Sequence, residues 1–388
     1  MTSTSGNANT NGSPDVIIVG GGVIGCAIAY HLAADHGVRS LIIERNGIGS
    51  EASGGAAGEL VAGELAKHSD HPPADVFTRF LQAGVTLHAN LAPALLEESG
   101  TDYLLADLPL LRPAFTDAEA DALRDELTQL NDAGIAAEWV ERETIHAMRT
   151  WIADDVVGAI YSTEQQVESY PFALALAQAC EQHGVEIRTG DVTGIERSGS
   201  RVTGVRTGPE TLSAQIVIIA NGPWAQHTSE WIGLDVAVIP LRGQIVHLDL
   251  PRATRPPRYA IFHDSGYLLP KASGALFAGT TIEDVGFDKT PTQDARDSIM
   301  EAVIRLAPQV IDIPIKDVSA CLRPYSTDDL PIIGAVPGID GLFMATGHGF
   351  KGITLCLVTG KNLAEFIVTG ESSFALDAFA PSRLAKRA

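Results

Sequence analysis

The first residues with the type and spacing to do chemistry are Gly20-Gly21-Gly22-Val23-Ile24-Gly25, a G-x-G-x-x-G sequence. In that pattern Gly20 makes a tight turn and Gly22 lets backbone approach a pyrophosphate. Gly25 lets the following helix pack on the preceding strand. Phosphates then rest at the helix N-terminus, where unpaired N–H groups and the dipole favour negative charge. Glu44 lies 24 residues after Gly20, where an acid meets ribose hydroxyls and disfavours a 2′-phosphorylated nucleotide. The motif alone does not choose between NAD and FAD. Residues 45–60 are rich in Gly, Ser and Ala, which suits close packing on a flat cofactor and equally suits a mobile loop.

The elements that position these residues can be read around them. Residues 15–19 form a β-branched run of the kind buried in a parallel sheet, 23–36 a helix stopped by Gly37, and 40–44 a second strand. Residues 171–183 have helical apolar spacing, and 185–189 a strand. The run 192–207 reads as a hairpin turning at Gly199-Ser200, and 214–220 as another buried strand. Residues 341–345 predict a strand and 352–368 a helix, joined by 346–351. Between these α/β pieces, 117–149 is charged and helix-like with a break at Gly134. Residues 237–283 alternate as short antiparallel strands, and 292–306 predicts a helix closed by Pro308. The organisation expected is a Rossmann-like α/β domain in separated segments (15–90, 155–236 and 320–375). An antiparallel-sheet substrate domain (91–154 and 237–319) would be inserted into it, with a flexible tail over 1–14.

Composition narrows the classes. The chain has 388 residues, 45% of them hydrophobic and 19% charged, which describes an ordinary globular protein of about two domains. Lys+Arg number 27 against 48 Asp+Glu, a formal charge of −21, which argues against nucleic acid and against anionic membrane surfaces. Four cysteines without a CxxC pair exclude a disulfide scaffold and a thiolate zinc site, and point to a reducing compartment such as the cytoplasm. The tail has no basic n-region. Residues 16–34 are long and apolar enough for a membrane span, but three consecutive glycines and His31 divide them into strand and helix. His68, Asp70 and His71 read as solvated loop residues, so no metal is expected.

Taken together, DVIIVGGGVIGCAIAYHLA, LIIER and AAGEL resemble the start of the FAD-dependent D-amino-acid oxidase family. Within it the look is nearest to glycine oxidases, amino-acid dehydrogenases and sarcosine oxidase-like members. VEIRTGDVTGIE and QIVIIANGPWA resemble the rest of the flavin domain. VIPLRGQIVHL, HDSGYLLP and ALFAGTTIED resemble the substrate domain, and CLRPYSTDDLPIIG and GLFMATGHGFKGITL the C-terminal signature. The match runs in order over roughly residues 15–370.

The resemblance implies FAD, held at the adenosine and pyrophosphate by Gly20, Gly22, Val23, Ile24, Gly25, Glu44 and Arg45. It places Ser53, Ala57 and Gly58 along the flavin, Val192 at the adenine side and Gly222 near the phosphates. Gly347, His348, Gly349, Lys351, Gly352 and Ile353 would face the flavin pyrimidine edge, where a helix N-terminus favours growing negative charge. Arg323 matches the Arg that grips the substrate carboxylate through two parallel hydrogen bonds; the alternative is a structural ion pair with Asp328 or Asp329. Tyr267 matches a tyrosine that helps bind the carboxylate, and Lys351 a substrate-binding lysine of the sarcosine branch. Cys321 falls where that branch attaches its flavin covalently, although a non-covalent FAD is the expectation here. Phe277 stands where that branch has an oxygen-activating lysine. The implied activity is oxidation of the C–N bond of a small amino or N-alkyl amino acid. Oxygen, a quinone or a partner subunit would take the electrons, and oligomerisation is left open.

Overall fold

The computed structural model describes residues 14–62 and 74–384. The tail 1–13 and the His68, Asp70 and His71 group lie outside the described residues.

Val16–Val19 forms β1 and Ser40–Glu44 forms β2, both β-branched and almost wholly buried, with α1 (Val23–Ala34) between them. Helix α1 is apolar on every side because it runs through the interior, and Gly37 closes it with φ +65°. Next come β3 (Glu59–Leu60), α2 (Ala74–Ser99), β4 (Ala106–Ala114) and α3 (Asp117–Asp132). Thr116 caps α3, its Oγ1 accepting from the Glu119 amide at 3.2 Å while the Glu119 carboxylate accepts from the Phe115 amide at 2.7 Å. Such reciprocal capping fixes a helix start. After it come β5 (Ala137–Glu141), α4 (Arg142–Ala147), β6 (Gly158–Gln166) and α5 (Ser169–Gln182).

The middle of the chain holds β7 (Glu186–Thr189), β8 (Val192–Ser198), β9 (Arg201–Thr207), β10 (Glu210–Ser213), β11 (Ile216–Ile219) and α6 (Ser229–Ile232). Then follow β12 (Val238–Leu248), β13 (Ala260–His263), β14 (Gly266–Pro270), β15 (Leu276–Gly279) and β16 (Glu283–Asp284). The chain continues through α7 (Gln293–Leu306), β17 (Ile315–Ser326), β18 (Ile332–Ala335), β19 (Leu342–Thr346) and α8 (Gly352–Thr369).

These strands make three sheets. One has six strands in the order β18-β19-β11-β1-β2-β7, parallel except for β18. Helices α1, α5 and α8 bury one of its faces, and the hydrophobic cluster around them forms the largest part of the core. A small antiparallel sheet, β10-β9-β8, covers the other face. The third sheet runs β16-β12-β15-β14-β13-β4-β6-β3, with β17 on β12 and β5 on β6. It is antiparallel except where β13 lies parallel to β4.

Three differences from the sequence reading have physical causes. Residues 137–141, read as helix-like, are strand β5, because β6 offers them a pairing edge. Helix α2, not expected at all, runs through Pro93, a residue that removes a hydrogen bond and usually marks a break. Strands β3 and β6, and residues 320–326 of β17, placed by sequence in the nucleotide segments, pair within the third sheet. The segment 16–34 divides into β1 and α1. Helix α8 is apolar and long enough for a span, yet packs inside on α1, where a Cβ at Gly360 would meet Ala27 backbone at 2.6 Å.

Candidate active site

The carboxyl ends of β1, β11 and β19 open toward the third sheet, the place where open α/β sheets bind ligands. A cavity of about 1140 Å³ lies there. Its nucleotide side is built from Gly22, Val23, Ile24, Ser53, Ala57, Gly58 and Gly222, and from Gly347–Gly349 and Lys351–Ile353. Its opposite wall carries Tyr267 and Arg323. Residues far apart in the chain thus meet across one space.

At the glycine turn, a Cβ on Gly25 would strike the Gly20 carbonyl oxygen, which is why the helix can begin so close to the strand. Ser53 Oγ accepts from the Val23 amide at 3.1 Å, tying the small-residue stretch to the start of α1. That stretch is therefore a fixed wall. Glu44 accepts from the Gly21 amide at 2.7 Å and from the Asn46 amide at 2.8 Å, and Arg45 stacks on Trp224 at 4.5 Å. Gly20, Gly25, Glu44, Arg45 and Val192 do not line the cavity; Val192 is buried in the cluster that holds Leu41 and Ile43.

At the far end of the nucleotide side, His348 is buried, its Nε2 meets Thr359 Oγ1 at 3.1 Å, and burial pushes its pKa down to about 3. It is therefore a neutral imidazole. Its Nδ1 has no hydrogen-bond partner among the described residues, and neither has the buried Asn221 Oδ1 beside Gly222. Gly22 lines the cavity at the start of α1, where the N–H groups of a helix N-terminus favour phosphate, and the glycines beside it keep that wall free of side chains. A flavin dinucleotide fits this set of residues.

On the facing wall, Arg323 donates to the Thr281 carbonyl at 3.0 Å and to Thr280 Oγ1 at 2.8 Å, and lies over the Phe350 ring at 4.7 Å. Two of its five N–H donors are thereby fixed, and the rest can serve a carboxylate. The ion pair with Asp328 or Asp329 does not form. Arg383 holds Asp328 at 2.7 Å, and Asp329 acts on Tyr325 instead. Tyr267 stacks on Phe262, and burial raises its hydroxyl pKa while the Arg323 charge opposes that rise. It therefore stays protonated. Cys321 packs on the small-residue stretch with Sγ 3.6 Å from the Gly55 carbonyl, and burial raises its thiol pKa.

Several residues escaped the sequence reading. A Cβ at Gly243 would occupy the place of the Arg323 guanidinium, and one at Gly279 the place of the Tyr267 ring. An interior-strand glycine is a signal of such close approach, but its partner depends on register. Lys271 is buried, and its Nζ donates to the Ala57 carbonyl at 2.7 Å and to the Val167 carbonyl at 2.8 Å. Burial pushes its pKa down to about 8. Glu164 lines the cavity and accepts from the Ala62 amide at 3.1 Å. Burial raises its carboxyl pKa, and the charge of Lys351 works against that rise.

Residues 15–366 match the family described as FAD dependent oxidoreductase. The glycine oxidase of Geobacillus kaustophilus is 31% identical over 373 residues, covering 95% of this chain and 97% of that protein. A crystal structure of glycine oxidase from the same organism superposes with a TM-score of 0.88 at 30% identity, covering 97% of this chain and 99% of that one. The bifunctional protein ThiO/ThiG of Trichormus variabilis is 30% identical over 96% of this chain, which spans only 56% of that protein's length.

Proposed function

Because the chain belongs to the FAD dependent oxidoreductase family, we propose that it oxidises the C–N bond of an amino or N-alkyl amino acid held by Arg323. The observation that carries this reading is the Arg323 guanidinium, fixed on Thr280 and Thr281 and facing the glycine-lined wall across one cavity.

Arg323 binds the substrate carboxylate through the donors that Thr280 and Thr281 leave open, and the Tyr267 hydroxyl adds a further donor. With the carboxylate anchored, the α-carbon is turned toward the cofactor wall, and placement does much of the work of catalysis. Gly22, Ser53, Ala57, Gly58 and residues 347–353 would hold FAD, which would supply a two-electron acceptor for the hydride leaving the α-carbon. The imine left behind is hydrolysed by water to an oxo acid, releasing ammonia or, from an N-alkyl substrate, the alkyl amine. Lys351 and the N-terminus of α8 place positive potential at that end of the cavity, where negative charge is favoured.

Attachment of the cofactor is non-covalent in this reading, supported by a Cys321 thiol that burial keeps protonated. A carboxylate grip is of no use to a subunit that only stores flavin, which favours turnover over a purely binding role. With Phe277 at the strand position, the acceptor is tested in parallel with oxygen and with an artificial quinone. Arg323→Ala is expected to raise KM about 100-fold, the loss of roughly 3 kcal/mol of charge-assisted hydrogen bonding, while bound FAD is retained. An unchanged KM would remove Arg323 from the substrate site.

A further inference from the structure

The two faces of β12 carry different chemistry. Side chains alternate along a strand, so Leu241 and Gly243 share one face and Arg242 and Gln244 the other. Arg323 lies over the first face: it stands opposite Leu241, and a Cβ at Gly243 would collide with its guanidinium. On the second face the Glu283 carboxylate accepts from Arg242 at 2.9 and 3.1 Å and from Gln244 Nε2 at 2.8 Å.

Residues 280–282, between β15 and β16 along β12, touch both sides. Toward the cavity they offer Arg323 two acceptors, the Thr281 carbonyl at 3.0 Å and Thr280 Oγ1 at 2.8 Å. The Thr280 hydroxyl gives its one proton to the Gln244 carbonyl at 2.9 Å, which leaves its lone pairs for the guanidinium. Away from the cavity, Thr281 Oγ1 donates to Glu283 at 2.7 Å and accepts from the Gln244 amide at 3.1 Å. Thr280 and Arg323 line the cavity, whereas Thr281, Gln244 and Glu283 do not. Both acceptors on Arg323 are uncharged, and the Glu283 carboxylate is taken up by Arg242, Gln244 and Thr281. The guanidinium charge is thereby left for an anion in the cavity.

We propose that Glu283 is a positioning residue for the carboxylate grip: holding the Thr281 hydroxyl from the far face of β12, it fixes the carbonyl that aims the Arg323 guanidinium at the substrate. This role rests on the carboxylate reading of Arg323 and adds to it the part that holds the guanidinium in place. A two-pronged bond to a carboxylate needs a fixed guanidinium plane, so a loosened Thr281 costs affinity without touching the ligand.

Acetate titrated into the FAD-loaded protein, with Kd read from the change in the flavin's visible absorption, tests this. Thr281→Val removes the hydroxyl and leaves the carbonyl, while Thr281→Ser keeps both. Thr281→Val is expected to raise the acetate Kd about tenfold, and Thr281→Ser to keep it within about twofold of the parent, with FAD content unchanged in both. Should Thr281→Val fail to fold, Glu283→Gln is the second variant, with an expected rise of at least about threefold from the weaker bond of a neutral acceptor. An unchanged Kd in the variant that folds, or an equal loss in Thr281→Ser, would overturn the role of Glu283 while leaving the Arg323 grip standing. Failure of acetate to bind the parent, or equal binding by Arg323→Ala, would overturn the grip and the role with it.

Discussion

At the scale of single residues, the site depends as much on missing side chains as on present ones. Gly243 and Gly279 clear the seats of the Arg323 guanidinium and the Tyr267 ring. Gly243→Ala is expected to weaken substrate binding by at least roughly tenfold with FAD content unchanged, since a misplaced guanidinium loses charge-assisted bonds. Steady-state KM alongside the flavin-to-protein ratio checks it. Lys271 pins the carbonyls of Ala57, proposed to line the flavin, and of Val167. Lys271→Met should therefore raise the Kd of apoprotein for FAD about tenfold, with Lys271→Arg restoring it by supplying the same charge. Fluorescence titration with FAD separates this from general instability, because only the charge-conserving variant recovers. Arg323 and Tyr267 were legible in the sequence because each stands inside a recognisable string. The seats beneath them were not, because the Gly243–Cys321 pairing of β12 with β17 exists only once the sheet has formed.

Among the elements, β1, α1 and β2 follow the sequence to within a residue or two, because a β-branched run, a glycine turn and an apolar helix each leave a local pattern. Strand β5 and helix α2 left none: one takes its state from the edge of β6, and the other runs through Pro93. Behind Arg323, β12, β16 and the loop leading into α7 are joined by charge. Arg242 is buried and donates to Glu283 at 2.9 and 3.1 Å and to Asp288 at 3.0 Å, while Gln244 meets Glu283 at 2.8 Å. Thr281, whose carbonyl holds Arg323, donates its own hydroxyl to Glu283 at 2.7 Å. The Arg242 bonds hold the Glu283 carboxyl down at about 2, below its ordinary 4.5. A folded value below the unfolded one means that stabilisation is complete above pH ~4.5 and lost as pH falls through about 2. Arg242→Met is expected to lower stability by roughly 2–3 kcal/mol at neutral pH, less than for a fully enclosed pair because Glu283 keeps contact with water. It should also flatten the acid limb below pH ~4.5. Urea unfolding at a series of pH values reads both effects.

For the whole molecule, the charge of −21 and the chemistry of the site are separate matters. The acidic surface repels anions in bulk, yet in the proposed reading backbone N–H groups at the glycine turn would meet the phosphates and Arg323, inside the cavity, the carboxylate. Neither feature is visible in a charge count. The two kinds of sheet were legible as two textures, α/β and alternating strand, while the pairing of β3, β6 and residues 320–326 of β17 within the third sheet was not, since pairing partners lie up to about a hundred residues apart. Anaerobic titration of the FAD-loaded protein with amino and N-alkyl amino acids, following the flavin's visible absorption, tests the central claim most directly. Bleaching by at least one such substrate is expected, with half-saturation about 100-fold higher in Arg323→Ala. Bleaching at the same concentration in both proteins, or by none of the amino acids, would contradict it.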